Sequence, residues 1–292
     1  MAGLVWLNGE TSSIEDAKTH VADHAHLYGD GLFEGIRIYG NKVFKLDEHL
    51  ERLYFGAKYL GFEMEIAQDE MRRLVLETCS QAGISDGYIR LNVTRGTGLG
   101  LDPSHIDRKP NVMVMVSTLA LYPPEAYEVG LKVVTCSYRV MTGDTLDPRL
   151  KCIGRYAANI LAKQEANRQG AGEGLMLNLQ GYVAECTGDN VFVVKDGLIS
   201  TPHKSSGMLL GITRNTVIEL ARKEGYEVRE EFLSRYDILE ADEVFLTGTA
   251  AEVIPMCSLD GQPIGSGKAG PISRKLMQLY REETQRGVPF GA

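Results

Sequence analysis

The chain of 292 residues carries 39 Asp and Glu against 31 Lys and Arg, a net charge of −8, and its arginines are interleaved with acids, as in Arg72-Arg73 between Glu70 and Glu77. Without the basic face that displaces counterions, nucleic acid is not an expected partner. At 43% hydrophobic and 24% charged residues the composition is that of a globular protein with one large or two smaller domains, and its longest apolar stretch, Val112 to Tyr122, is too short for a membrane span.

The first nine residues lack a basic segment followed by an apolar run and a cleavage site, so the cytoplasm is the expected location. From Leu4 to about Tyr122 short strands alternate with amphipathic helices. Leu32 to Val43 reads as two strands around a Tyr39-Gly40-Asn41-Lys42 turn, and Asp47 is the expected N-cap of a helix burying Leu50, Leu53, Tyr54, Ala57 and Leu60. A second helix follows Asp69, buries Met71, Leu74, Val75 and Thr78, and stops at Gly83. Tyr88 to Thr94 and Val112 to Leu121 read as neighbouring strands. The unbroken run Val112-Met113-Val114-Met115-Val116 predicts burial on both faces.

Tyr122-Pro123-Pro124-Glu125 breaks the pattern, because prolines are excluded from helix interiors and central strands. The expected division is therefore a small domain at 1–121, a linker at 122–129 and a large domain at 130–292. The second domain opens with a strand over Leu131 to Cys136, then a helix from about Arg155 to Gln169. Hairpin-like strands follow from Gly174 to Ser200, and helices over Thr213 to Glu224 and Ser273 to Gln285. The five cysteines, Cys79, Cys136, Cys152, Cys186 and Cys257, have no metal-knuckle spacing and fit free thiols in a reducing compartment. His20, His24 and His26 lack companions for a zinc site, and Gly96-x-Gly98-x-Gly100 precedes no helix, so neither a metal nor a dinucleotide is expected.

Three pieces in order carry the chemistry: Glu185-Cys186-Thr187-Gly188-Asp189-Asn190-Val191-Phe192, Ile199-Ser200-Thr201, and Leu209-Leu210-Gly211-Ile212-Thr213-Arg214. Together they resemble the signature of the class IV pyridoxal-phosphate aminotransferases. Gly211-Ile212-Thr213 opens a helix, whose N–H groups and positive dipole end suit a phosphate, with the Thr213 hydroxyl as a further donor. Glu185, just before a polar turn, is the candidate partner of the pyridine nitrogen, where a carboxylate keeps the ring protonated and an electron sink. Gly188, Asp189, Asn190 and Leu209 complete this part of the expected pyridoxal 5'-phosphate site.

Periodicity does not single out a Schiff-base lysine. The resemblance does, matching Lys151-Cys152-Ile153-Gly154-Arg155-Tyr156 to the family lysine and the tyrosine after it, and so naming Lys151 as catalytic and Tyr156 as a cofactor contact. Asp47-Glu48-His49-Leu50-Glu51-Arg52-Leu53 looks like the family helix whose arginine reaches the phosphate, which makes Arg52 the candidate. Its competing reading is a surface charge paired with Glu48. Thr247-Gly248-Thr249-Ala250-Ala251-Glu252 looks like the turn that places Gly248 and Thr249 at the phosphate and the Thr249 and Ala250 amides at the substrate carboxylate.

Within the family, the segment Tyr28 to Arg37 is similar to that of branched-chain amino acid aminotransferases, with Tyr28 and Phe33 as apolar walls and Arg37 nearby. Tyr88-Ile89-Arg90 and the Gly98-Leu99-Gly100 turn fit the same group. Asn92-Val93-Thr94-Arg95-Gly96-Thr97 and Leu146-Asp147-Pro148-Arg149-Leu150-Lys151 look instead like D-amino acid aminotransferases and aminodeoxychorismate lyases. The resemblance implies an α+β fold of fold-type IV, like that of D-amino acid aminotransferase, with a small α/β domain, a larger mostly β domain and the cofactor between them. It implies a homodimer, and transfer of the amino group of Leu, Ile or Val to 2-oxoglutarate by a ping-pong mechanism. The alternatives are a D-amino acid or (R)-amine transaminase and a lyase.

Overall fold

A computed structural model of the chain describes residues 3–107, 109–119 and 122–291. It divides into two compact units, one of Met1–Leu119, Leu150–Gly154 and Thr284–Ala292, the other of Ala120–Arg149 and Arg155–Glu283.

The first unit runs β1 Gly3–Leu7, β2 Glu10–Ser13, α1 His24–Tyr28, β3 Gly31–Tyr39, β4 Lys42–Val43, α2 Leu46–Leu60, α3 Gln68–Ala82, β5 Gly87–Thr94 and β6 Val112–Ser117. With β16, Val288–Pro289, it forms a seven-stranded sheet in the order β16-β4-β3-β5-β6-β1-β2. The β3–β4 hairpin turns on Gly40 and Asn41, both at positive φ (53° and 61°), as a tight hairpin requires. Helix α2 begins two residues earlier than its sequence suggested. Its N-cap is Lys45, and Asp47 lies in the first turn, where its carboxylate accepts from Arg72 Nε at 2.8 Å. Leu50, Leu53 and Ala57 are buried as expected, whereas Tyr54 and Leu60 lie at the edge of the apolar stripe. Helix α3 ends as expected on Gly83, in the left-handed region.

Strand β6 departs from its expected double-sided burial. Val112, Val114 and Val116 are buried, but Met113 and Met115 are half-buried, because α3 covers only one face of the sheet there. The long methionine side chain supplies apolar character on either face, which hides the alternation. Ala120 and Leu121, at the expected end of this strand, lie outside the described residues.

The second unit comprises α4 Pro124–Val129, β7 Leu131–Arg139, α5 Tyr156–Arg168, β8 Glu173–Leu177, β9 Val183–Cys186, β10 Asn190–Lys195, β11 Leu198–Pro202, α6 Ile212–Lys223, β12 Val228–Glu231, α7 Arg235–Leu239, β13 Glu243–Gly248, β14 Glu252–Leu259, β15 Gln262–Pro263 and α8 Pro271–Glu283. Its nine-stranded sheet has the order β12-β11-β10-β13-β14-β7-β8-β9, with β15 on β14. Much of the expected linker at 122–129 is helical: Pro124 sits at the first helical position of α4, where its missing N–H leaves no helix bond unmade.

Two segments that a single cut at 122–129 gives to the second domain belong to the first unit. Lys151 O accepts from Phe33 N at 3.1 Å and Gly154 N donates to Gly29 O at 3.0 Å, while Cys152 bridges Leu32. At the other end, β16 pairs with β4.

Candidate active site

In the first unit, the twofold period of β3 sends Phe33, Gly35 and Arg37 to one face of the sheet and Glu34 to the other. The β3–β5 register sets Gly35 opposite Arg90 and Arg37 opposite Tyr88, so these side chains share the Phe33 face. The nearly buried Phe33 ring has Lys151 Nζ at 4.6 Å from its centroid and the Arg90 guanidinium at 3.5 Å. Arg90 Nε donates to Asn92 Oδ1 at 2.8 Å, which fixes the guanidinium. Tyr88 lies across Gly35, where any Cβ would overlap its hydroxyl. Arg37 stacks on Tyr39 at 4.9 Å. Sequence-predicted Phe33, Arg37, Tyr88, Arg90 and Lys151 are thus gathered on one surface. Tyr28 closes α1, 46% exposed, and its hydroxyl accepts from Gly100 N at 3.2 Å.

On the opposite face, Glu34 is completely buried. Its carboxylate accepts from Arg52 Nε and Nη2 and from His49 Nδ1, each at 2.7 Å. Burial pushes the Glu34 carboxyl up, but Arg52 and His49 outweigh it and hold it at about 2. For His49, burial wins over the pull of Glu34, with Arg52 and Lys151 adding to it, and the imidazole lies below its ordinary range. Arg52 is therefore no surface charge paired with Glu48, which instead meets Lys45 at 2.8 Å.

In the second unit, Glu185 sits near the end of β9, 5% exposed. It pairs with Arg155 Nη2 at 2.5 Å, and its other oxygen accepts from Leu209 N at 2.8 Å. Asn190 Nδ2 donates to Leu209 O at 2.8 Å, so the Leu209 backbone is held at both its N–H and its C=O. Arg155 also packs on the Tyr156 ring at 5.3 Å. Between Glu185 and Asn190 the turn is pinned at Thr187, whose N–H and hydroxyl reach the buried Glu173 and whose C=O accepts from Asn159 at 2.9 Å. Close approach explains two glycines: a Cβ at Gly211 would overlap the Asn190 amide, and one at Gly248 the Asp189 carboxylate. Gly188 lies in the same turn. Thr249 and Ala250 form the half-exposed turn between β13 and β14. Burial, with Glu173 and Asp189 nearby, raises the Cys186 thiol well above its usual range, which suits an inert core group rather than a nucleophile.

The donor set fits a phosphorylated pyridoxal. Helix α6 opens on Gly211 with no side-chain cap, leaving the first-turn N–H groups of Ile212 and Thr213 outside the intrahelical ladder, and the Thr213 hydroxyl lies 3.5 Å from Tyr280 Oη. Sequence reasoning missed Glu34, His49, Arg155 and Glu173. For the first two the signal was present: His49 and Arg52 are three apart on the α2 stripe facing β3, and a glutamate on the buried side of a strand needs a cation.

The first unit holds this lysine, and the second holds the buried carboxylate and the helix terminus, the groups that a pyridoxal-phosphate aminotransferase uses. Residues 31–259 match the amino-transferase class IV family, and the chain belongs to that family. A Methanocaldococcus jannaschii protein provisionally assigned as a branched-chain-amino-acid aminotransferase is 44% identical over 286 residues, covering 97% of this chain and 98% of its own. The T.th. branched-chain amino acid aminotransferase is similar at 39% identity, covering 98% of this chain and 95% of its own. Its complex with N-(5'-phosphopyridoxyl)-L-glutamate superposes with a TM-score of 0.91, and its complex with 4-methylvaleric acid with 0.90. Among the described residues, no helix is long and apolar enough to cross a membrane.

Proposed function

We propose that this chain is a pyridoxal 5'-phosphate-dependent transaminase that moves the amino group of leucine, isoleucine and valine to 2-oxoglutarate in a ping-pong cycle. The observation that carries the reading is the placement of the Lys151 amine over the Phe33 ring with the Arg90 guanidinium on the same ring: a base, an apolar wall and a carboxylate receptor together. The T.th. relative forms complexes with both a glutamyl adduct and a branched acid, the two side-chain classes such a cycle requires.

Bound pyridoxal 5'-phosphate supplies the electron sink that makes the Cα proton of an amino acid acidic. Lys151 Nζ takes that proton and returns it. Glu185, held by Arg155 and Leu209 N, would supply a fixed carboxylate for the ring nitrogen. Arg52, the Ile212 and Thr213 amides, the Thr213 hydroxyl and Thr249 with Gly248 would hold the phosphate. Tyr156, Gly188, Asp189, Asn190, Leu209 and Gly211 frame the ring. Phe33 and Tyr28 form apolar walls for the substrate, beside Tyr88. Arg37, Arg90 and the Thr249 and Ala250 amides receive carboxylates.

The test is the half-reaction with single amino donors, followed by the cofactor's absorbance. Each buried methylene contributes roughly 0.8 kcal/mol, so L-leucine should exceed L-alanine by about a factor of ten or more in kcat/KM, and Phe33→Ala should flatten that preference. Faster conversion by D-alanine or (R)-1-phenylethylamine would overturn the branched-chain assignment, and turnover without a 2-oxo acid would mark a lyase. A cytoplasmic homodimer completes the proposal, supported by the five free, buried cysteines and by Leu99 and Leu101, 73% and 79% exposed, on the loop after β5.

A further inference from the structure

We infer that Glu34, assisted by His49, is a positioning residue for the phosphate grip, fixing the plane and direction of the Arg52 guanidinium. This rests on the reading of Arg52 as a phosphate ligand. An arginine side chain has four rotatable bonds, and its directional value depends on what removes that freedom. Here the Nε–Nη2 edge lies against both oxygens of one carboxylate, and His49, one turn earlier on α2, holds that carboxylate from a further side. The carboxylate is completely buried on β3, and the Arg52 side chain is only 17% exposed. This far exceeds what a surface ion pair shows.

Charge gives the arrangement a distinctive consequence. Glu34 stays ionised and neutralises Arg52, while burial disfavours the charged form of His49. The cluster therefore combines an oriented guanidinium with little net charge. Simple Coulomb attraction makes Glu34 a liability, since removing a carboxylate near a phosphate site should tighten anion binding. Positioning requires the opposite sign.

The experiment compares dissociation constants for pyridoxal 5'-phosphate and for pyridoxal, which lacks the phosphate, on the full-length apoprotein. Both aldehydes use the same lysine, so their affinity ratio isolates the phosphate contribution. Glu34→Gln should lower the ratio about tenfold, the scale of one charge-assisted hydrogen bond, and Arg52→Met should lower it at least as far. The double variant should fall no further than Arg52→Met alone, because Glu34 acts through Arg52. His49→Gln, a gentler change, should lower the ratio about threefold and serves where Glu34→Gln does not fold. A ratio raised or unchanged in Glu34→Gln, or unchanged in His49→Gln, while Arg52→Met lowers it, overturns the positioning role and leaves Arg52 at the phosphate. An unchanged ratio in Arg52→Met overturns both.

Discussion

Lys151 is the proposed centre of the chemistry. Lys151→Ala should eliminate turnover while the far-ultraviolet spectrum stays that of the parent, and borohydride reduction of the parent followed by peptide mapping should find the cofactor on Lys151. A label on another lysine would refute the assignment. Glu185→Gln should retain the cofactor yet lose about 2–4 kcal/mol of transition-state stabilisation, because the proposed phosphate contacts lie elsewhere. A rate within a factor of about three of the parent would place Glu185 away from the ring nitrogen. Acid stability tests the other face of β3. Glu34 has a folded value of about 2 against 4.5, so its contribution, on the order of 3 kcal/mol, is present above 4.5 and lost as pH falls from there towards 2. His49 is depressed below 6.5, so the unfolded chain gains the proton first and stability begins to fall as pH drops below 6.5. Melting temperatures should therefore decline from pH 7 downwards in two limbs, and His49→Gln should remove the upper one. A profile of the variant superimposable on the parent's would contradict this account.

At the scale of elements, packing explains glycines that turn chemistry does not. Gly35 lies in the middle of β3, a position that ordinarily weakens a strand, and it is there because Tyr88 lies across it. Gly35→Ala should cost about 1–3 kcal/mol by overpacking, read as a lower melting temperature, and adding Tyr88→Ala should cost less than the sum of the two single changes. Full additivity would mean that the two positions do not share space. The sequence made the β3–β4 hairpin, the stop of α3 at Gly83 and the start of α6 legible, since each depends on neighbours within a few residues. It misplaced the start of α2, because Asp47 reads as a cap but spends its carboxylate on Arg72, twenty-five residues away. The methionines of β6 misled for a related reason: side-chain polarity gave no indication that a helix covers only one face.

For the whole molecule, the candidate site was legible where a contiguous motif carries it, as at Glu185 to Asn190 and Gly211 to Thr213, and illegible where a partner comes from a distant element. Arg155 was read as the start of a helix and the neighbour of Tyr156, although thirty residues on it meets Glu185. The same limit applies to assembly. Exposed Leu99 and Leu101 predict self-association, so sedimentation equilibrium should give at least twice the 32.1 kDa chain mass, and Leu99→Asp with Leu101→Asp should weaken it. A parent that sediments as a single chain at micromolar concentration would contradict the homodimer.

The lysine segment has a further consequence for biosynthesis. Leu150–Gly154 and Thr284–Ala292 both complete the unit that begins at the amino terminus. On a ribosome, the sheet that emerges first must therefore wait with β3 and β4 lacking these partners, one until residue 154 has left the exit tunnel and the other until β16 has done so. The unit begun earlier is finished after the one begun later, and the lysine cannot take its place beside Phe33 until α2, α3, β5, β6 and β7 have been made.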